Sequence, residues 1–206
     1  MPRNEVNQYK GKLYCWDVVN EVIEEDGTIR KTIWSKNFGT SFIGEAFRTA
    51  HSTNPEVKLY INDYDTEGHN KKIDGLYNLV KQMKAEGVPV HGVGFQAHLA
   101  VDEVPNDLQS NLQRFVDLGV EVAITELDIR LELPVTPASL ERQARDYVKV
   151  FDACLAVERC VGVTVWGYTD KYSWVPGFFK GFGASNLFDE KYQPKPAVSA
   201  LEKILH

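Results

Sequence analysis

The chain has 206 residues and a formal net charge of −6. That length suffices for one domain with a sizeable core. The acidic balance repels polyanions, which excludes nucleic acid and anionic membrane surfaces as expected partners.

No apolar run is long enough to cross a bilayer. The opening stretch, Met1-Pro2-Arg3-Asn4-Glu5, lacks the apolar core of a signal peptide. Strand-like runs then alternate with helices of 3.6-residue period. A first strand is expected over 12–19, running into Asn20-Glu21, followed by a helix near 41–50. A second strand over 57–61 runs into Asn62-Asp63-Tyr64-Asp65, and the helix after it, near 70–86, is closed by Gly87. A third strand, 90–95, leads to Gln96-Ala97-His98, and a helix capped by Asp107 follows and ends at Gly119. The fourth strand, 120–124, runs into Glu126-Leu127-Asp128. The helix after it starts at Thr136, with Pro137 at its first position. A fifth strand, 162–166, leads to Trp166-Gly167-Tyr168-Thr169-Asp170, and a helix over 195–205 closes the chain. The strand starts lie about 30 to 45 residues apart, the period of βα units in a parallel sheet.

Three cysteines are present. Cys154 and Cys160 lie six apart, which allows a small disulfide loop in an oxidising compartment and equally two buried thiols in a reducing one. Cys15 reads as a free thiol. No Cys/His cluster has metal-ligand spacing, and no metal or cofactor is implied.

The chemistry gathers at the strand ends. Each of the five expected strands finishes in polar or aromatic residues, and in α/β sheets that is the face where sites are built. Glu21 and Glu126 both follow β-branched apolar runs, where a buried strand has no use for an unpaired charge. A strand-end Glu taken singly is more often a capping or surface residue. Two of them across one cleft are what a glycosidase requires.

At this point the chain resembles glycoside hydrolase family 10, the retaining endo-β-1,4-xylanases. Trp16-Asp17-Val18-Val19-Asn20-Glu21 is similar to that family's fourth-strand motif, and Leu59-Tyr60-Ile61-Asn62-Asp63-Tyr64 to its fifth. Gly94-Phe95-Gln96-Ala97-His98 resembles the sixth, Ile124-Thr125-Glu126-Leu127-Asp128 the seventh, and the segment from Val165 to Trp174 the eighth and its loop. Leu187-Phe188-Asp189 with Gln193-Pro194-Lys195-Pro196-Ala197 resembles the closing segment.

The resemblance implies an α/β fold, a (β/α)₈ TIM barrel of which residues 1–206 hold only strands four to eight as a partial catalytic domain. A whole barrel typically takes ~250 residues. The first three strands, which supply a Lys, an Asn, a Trp and a His to the glycone side, are expected to be absent.

It further implies Glu126 as nucleophile and Glu21 as acid/base, the proton staying on the carboxyl with fewer donors around it. Asn20, Tyr64, His98, Trp166 and Trp174 are expected to contact sugar, Gln96 to contact sugar or orient the acid/base, and Asp128 to stand behind His98 in a relay to Glu126. Asn62 and Asp63 read equally as loop ties. The resemblance favours the Cys154–Cys160 disulfide and secretion. The expected partner is xylan or a xylo-oligosaccharide. The alternative is a non-catalytic fragment that aggregates or dimerises through open sheet edges, takes up a complementary N-terminal barrel fragment, or only binds xylan weakly.

Overall fold

The computed structural model describes residues 2–206; Met1, where the stretch read above for a leader begins, lies outside the described residues. The elements run α1 (Pro2–Gln8), β1 (Cys15–Asn20), α2 (Ile33–Phe38), α3 (Ser41–Thr53), β2 (Lys58–Asp63), α4 (Lys71–Ala85), β3 (Gly92–Phe95), β4 (His98–Ala100) and α5 (Leu108–Val116). They continue with β5 (Glu121–Glu132), α6 (Pro137–Leu155), β6 (Cys160–Val165), a 3₁₀ turn (Asp170–Tyr172), α7 (Val175–Phe178), β7 (Phe182–Gly183) and α8 (Pro196–Leu205). Among the described residues, no helix is long and apolar enough to cross a membrane.

Five strands form a continuous parallel sheet in the order β1-β2-β3-β5-β6. This is the expected α/β arrangement. The core lies where the sheet meets its helices. Leu59, Ile61, Val93, Phe95, Val122, Ile124 and Leu127 are fully buried, packed with Phe47, Leu76, Val80, Phe115, Tyr147 and Val150 from the helices. Burying a side chain of that size contributes about 1.5–3 kcal/mol. Among the described residues β1 pairs only with β2 and β6 only with β5, so the sheet ends in two open edges. Those outer strands are accordingly half-buried, whereas β2 is almost wholly buried.

The helix starts follow local chemistry. The Thr136 and Ser139 side chains form a reciprocal capping box around Pro137, and the Asn70 side chain caps α4. Asp107 stands at the start of α5 without capping it, because its carboxylate takes the His69 amide at 3.0 Å instead.

The largest correction concerns the fourth expected strand, which does not end near 124. It continues as β5 to Glu132, because β4 pairs with its second half and β7 pairs with its end. Leu127, Ile129 and Leu131 keep the period-two burial, so Glu126 and Asp128 project from within a strand. The short α2, opened by a Thr32/Ser35 capping box, and α1 and α7 were not expected.

Cys154 and Cys160 are disulfide-bonded, with Cα atoms 5.3 Å apart, and tie the end of α6 to the start of β6. A loop this short removes little unfolded-chain entropy, about 2 kcal/mol. Replacing both cysteines with Ser is expected to lower Tm by several degrees and leave the fold intact, as thermal unfolding followed by circular dichroism would record.

Candidate active site

At the C-terminal ends of the strands, one amide network joins the two glutamates. The Asn62 side-chain amide donates to Glu126 Oε1 at 2.7 Å and to Asn20 Oδ1 at 3.0 Å. The Gln96 amide donates to the same Asn20 oxygen at 3.2 Å and reaches Glu21 Oε1 at 3.4 Å. Thr125 Oγ1 donates to Asn62 Oδ1 at 2.6 Å, which fixes that amide's orientation. Asn62 has room only because residue 94 is glycine. A Cβ there would lie 2.3 Å from Asn62 Oδ1 and 2.8 Å from Thr125 Cγ2.

Each glutamate also has a cation or imidazole. Glu21 sits just past β1 in the left-handed region, φ 56°, an uncommon backbone for a residue with a side chain. Its amide is held by the Asn62 carbonyl at 2.9 Å. Arg30 Nη1 donates to Glu21 Oε2 at 3.1 Å, and Nη2 donates to the Tyr64 hydroxyl at 2.7 Å. Tyr64 stands with the Lys72 ammonium 3.1 Å from its ring centroid, a cation–π contact. Lys72 is itself paired with Asp63 and Glu25.

Glu126 lies deeper, its side chain 14 % exposed against 37 % for Glu21. His98 Nε2 is 3.2 Å from Glu126 Oε2, and its Nδ1 is 3.2 Å from Asp128 Oδ1. The second contact is an ion pair without good hydrogen-bond alignment. Asp128 is buried and accepts from Trp174 Nε1 at 2.7 Å. The Trp174 ring meets His98 edge to face at 4.9 Å between centroids. Trp166 also approaches His98 edge-on and is 48 % exposed, so it belongs to the surface of the cleft and not to the core.

Burial disfavours charge on His98, but its contacts with Asp128 and Glu126 outweigh that and raise it to about 9. A histidine raised from 6.5 contributes stability that is complete below pH 6.5 and lost as the pH rises through 9, on the order of 3 kcal/mol in all. His98→Gln is expected to be less stable than the parent at pH 6 and to close much of that gap by pH 9.5. Urea unfolding at the two pH values measures both.

The structure brings Asn20, Glu21, Gln96, Glu126, His98, Asp128 and Trp174 into one connected cluster, with Tyr64 joined to it through Arg30. Two contributors were missed. Asn62 was left undecided, and it contacts Glu126 directly, while its neighbour Asp63 does tie a loop, accepting from the Ile23 amide at 3.1 Å. Arg30 was not singled out; with Arg30 and Gln96 at Glu21 against Asn62 and His98 at Glu126, the expectation of fewer donors around the acid is not met. The signal was present in Asp26-Gly27, a turn dipeptide that folds 22–30 into a hairpin and returns Arg30 opposite Val22.

The sequence pattern of the family described as Glycosyl hydrolase family 10 matches residues 3–204. The chain belongs to glycosyl hydrolase family 10. An endo-1,4-beta-xylanase of Agaricus bisporus is 52 % identical over 95 % of this chain, and endo-1,4-beta-xylanase A of Phanerodontia chrysosporium is 50 % identical over 95 %. The chain spans only 59 % and 48 % of those two relatives. Xylanase 10B of Thermotoga petrophila, solved with xylobiose, superposes with a TM-score of 0.96 at 42 % identity. The match takes in 99 % of this chain and 63 % of that one. A glycosylated family 10 xylanase of Gloeophyllum trabeum gives 0.95 at 48 % identity, covering 99 % and 65 %. The matched part of a family 10 barrel is thus the five-stranded parallel section described above.

Proposed function

We propose that residues 1–206 are a partial family 10 catalytic domain that hydrolyses internal β-1,4 xylosidic bonds with retention, Glu126 acting as nucleophile and Glu21 as acid/base. The observation that carries this reading is the amide chain from Glu126 through Asn62, Asn20 and Gln96 to Glu21, which fixes two carboxylates relative to each other. Retaining hydrolysis requires such a pair about 5–5.5 Å apart.

In the first step Glu126 Oε attacks the anomeric carbon, and Glu21 gives its proton to the departing glycosidic oxygen. A glycosyl ester forms and the C–O bond to the leaving sugar breaks. In the second step Glu21 takes a proton from water. The water oxygen attacks the anomeric carbon and releases the Glu126 carboxylate. His98, charged below about pH 9, faces the nucleophile and favours its ionised form. Asn20 carries the amide oxygen on which the network converges and is exposed to the cleft, so it is the group placed for a sugar hydroxyl. Gln96 orients Glu21. Trp166 and Trp174 offer apolar faces to pyranose rings on the Glu126 side, and Tyr64 does so beyond Glu21.

The names of the relatives support xylan or xylo-oligosaccharide as substrate, and the disulfide supports secretion. The purified chain assayed on xylan, carboxymethylcellulose and mannan tests the reading. Preferential release of reducing ends from xylan supports it, and no release from any of the three sinks it.

The two open edges favour a second reading, in which the chain is inactive and self-associates or takes up a complementary N-terminal barrel fragment. Sedimentation velocity separates the two readings. An active, compact monomer at all concentrations removes the second. A mass that climbs with concentration, without turnover, is its expected result.

A further inference from the structure

Between the two arms of the site stands Ala97. Its preceding neighbour Gln96 reaches Glu21 and Asn20, and its following neighbour His98 reaches Glu126. Ala97 itself has φ 61°, and that left-handed turn sends the two side chains to different carboxylates. A turn of this kind in a residue with a Cβ persists only where its surroundings hold it.

Glu67 does so. It is buried, and its Oε1 accepts the Ala97 amide at 2.7 Å. The segment carrying Glu67 is fixed in turn by buried Asn111 of α5, whose amide donates to the Thr66 carbonyl at 2.7 Å and the Glu67 carbonyl at 3.1 Å. The Ala97 carbonyl accepts from the Asp128 amide at 3.3 Å, so the same turn is stitched to β5.

Resting on the reading of Glu21 and Glu126 given above, we propose that Glu67 is a positioning residue whose buried carboxyl holds the Ala97 turn, and through it sets Gln96 and His98 against the two catalytic carboxylates. Glu67 touches no reacting atom in this scheme. A cavity of about 520 Å³ adjoins it, lined also by Asp65, His98, Glu103, Asp107 and Arg130, so charge faces it from several elements. Burial, set against the donated Ala97 amide, pushes its carboxyl up to about 7. The group therefore accepts the amide whether or not it carries a proton, and acceptance rather than charge is the function assigned to it.

Three variants of the full chain test this, read by steady-state kinetics on an aryl xylobioside and by an NMR titration of the His98 imidazole. Glu67→Met keeps the bulk and removes the acceptor. It should lower kcat at least tenfold, leave KM within about twofold, and shift the His98 titration downward. Glu67→Gln keeps an acceptor oxygen and should retain kcat within about threefold with the His98 titration unmoved. Glu67→Met with parental kcat and titration overturns the proposal, and so does Glu67→Gln losing as much as Glu67→Met. If Glu67→Met shows no cooperative melt, Glu67→Asp decides, since it withdraws the acceptor by one carbon. A fall in kcat with a downward His98 shift supports the role, and parental values overturn it. A parent chain that never turns over defeats the catalytic reading, while the His98 titrations still judge the positioning role.

Discussion

Glu126→Ala is expected to lower kcat/KM on xylan by roughly 10⁴-fold or more, about 5.5 kcal/mol at the transition state. In the proposed mechanism the carboxylate supplies the bond to the anomeric carbon, and nothing else in the cluster can replace it. Asn62 is a donor, Asp128 is turned to Trp174, and Glu21 is bound to Arg30 on the other side. The side chain is small and partly buried, so its loss opens a space beside His98 without disturbing the core. A small anionic nucleophile such as azide should enter that space. Restored release of an aryl leaving group, with an α-glycosyl azide as product, identifies Glu126 as the attacking group. Rescue that yields a β-azide, or a variant with parental turnover, contradicts the assignment.

Glu21→Ala is expected to show a different signature. As the proposed acid, it gives a proton that is needed in proportion to the basicity of the leaving oxygen. Turnover of xylan, whose leaving group is a sugar alkoxide, should fall by about 10²–10⁴-fold. Glycosylation by a dinitrophenyl xylobioside, whose leaving group needs no proton, should stay within about tenfold of the parent, with a burst as the glycosyl ester accumulates. Stopped-flow absorbance separates the burst from the steady state. Equal losses on both substrates would assign Glu21 a binding role instead.

How far the site was legible depended on whether residues are joined by strand geometry or by longer excursions. The alternation Leu127, Ile129, Leu131 is a period-two signal that extends β5 beyond Glu126, and the carboxylates Glu126 and Asp128 mask it because they look like a strand end. Glu21, Gln96, His98 and Glu126 could be placed together from sequence because each lies at a strand terminus or along β5, where topology puts them at one end of the sheet. Arg30 comes from a hairpin and Glu67 from the loop after β2, and neither has a periodicity that points inward. A buried acidic side chain serving a backbone amide looks, in sequence, like any loop glutamate. Asn62 was ambiguous for a related reason. The same residue type ties loops or orients a carboxylate, and only the contact with Glu126, far away in sequence, shows which.

The two unpaired edges of the sheet are not equivalent, and that has a consequence for symmetry. β1 laid beside β6 of another copy keeps all strands parallel and joins different surfaces, a heterologous contact that repeats. Such a joint ends only when a ring closes and otherwise extends without limit. β1 against β1 is instead antiparallel and two-fold, and it stops at two copies. A dimer that saturates therefore reports either pairing of like edges or a ring of unlike edges closed at two copies. A ladder of growing sizes reports that the first strand of one molecule has taken the place beside the last strand of the next.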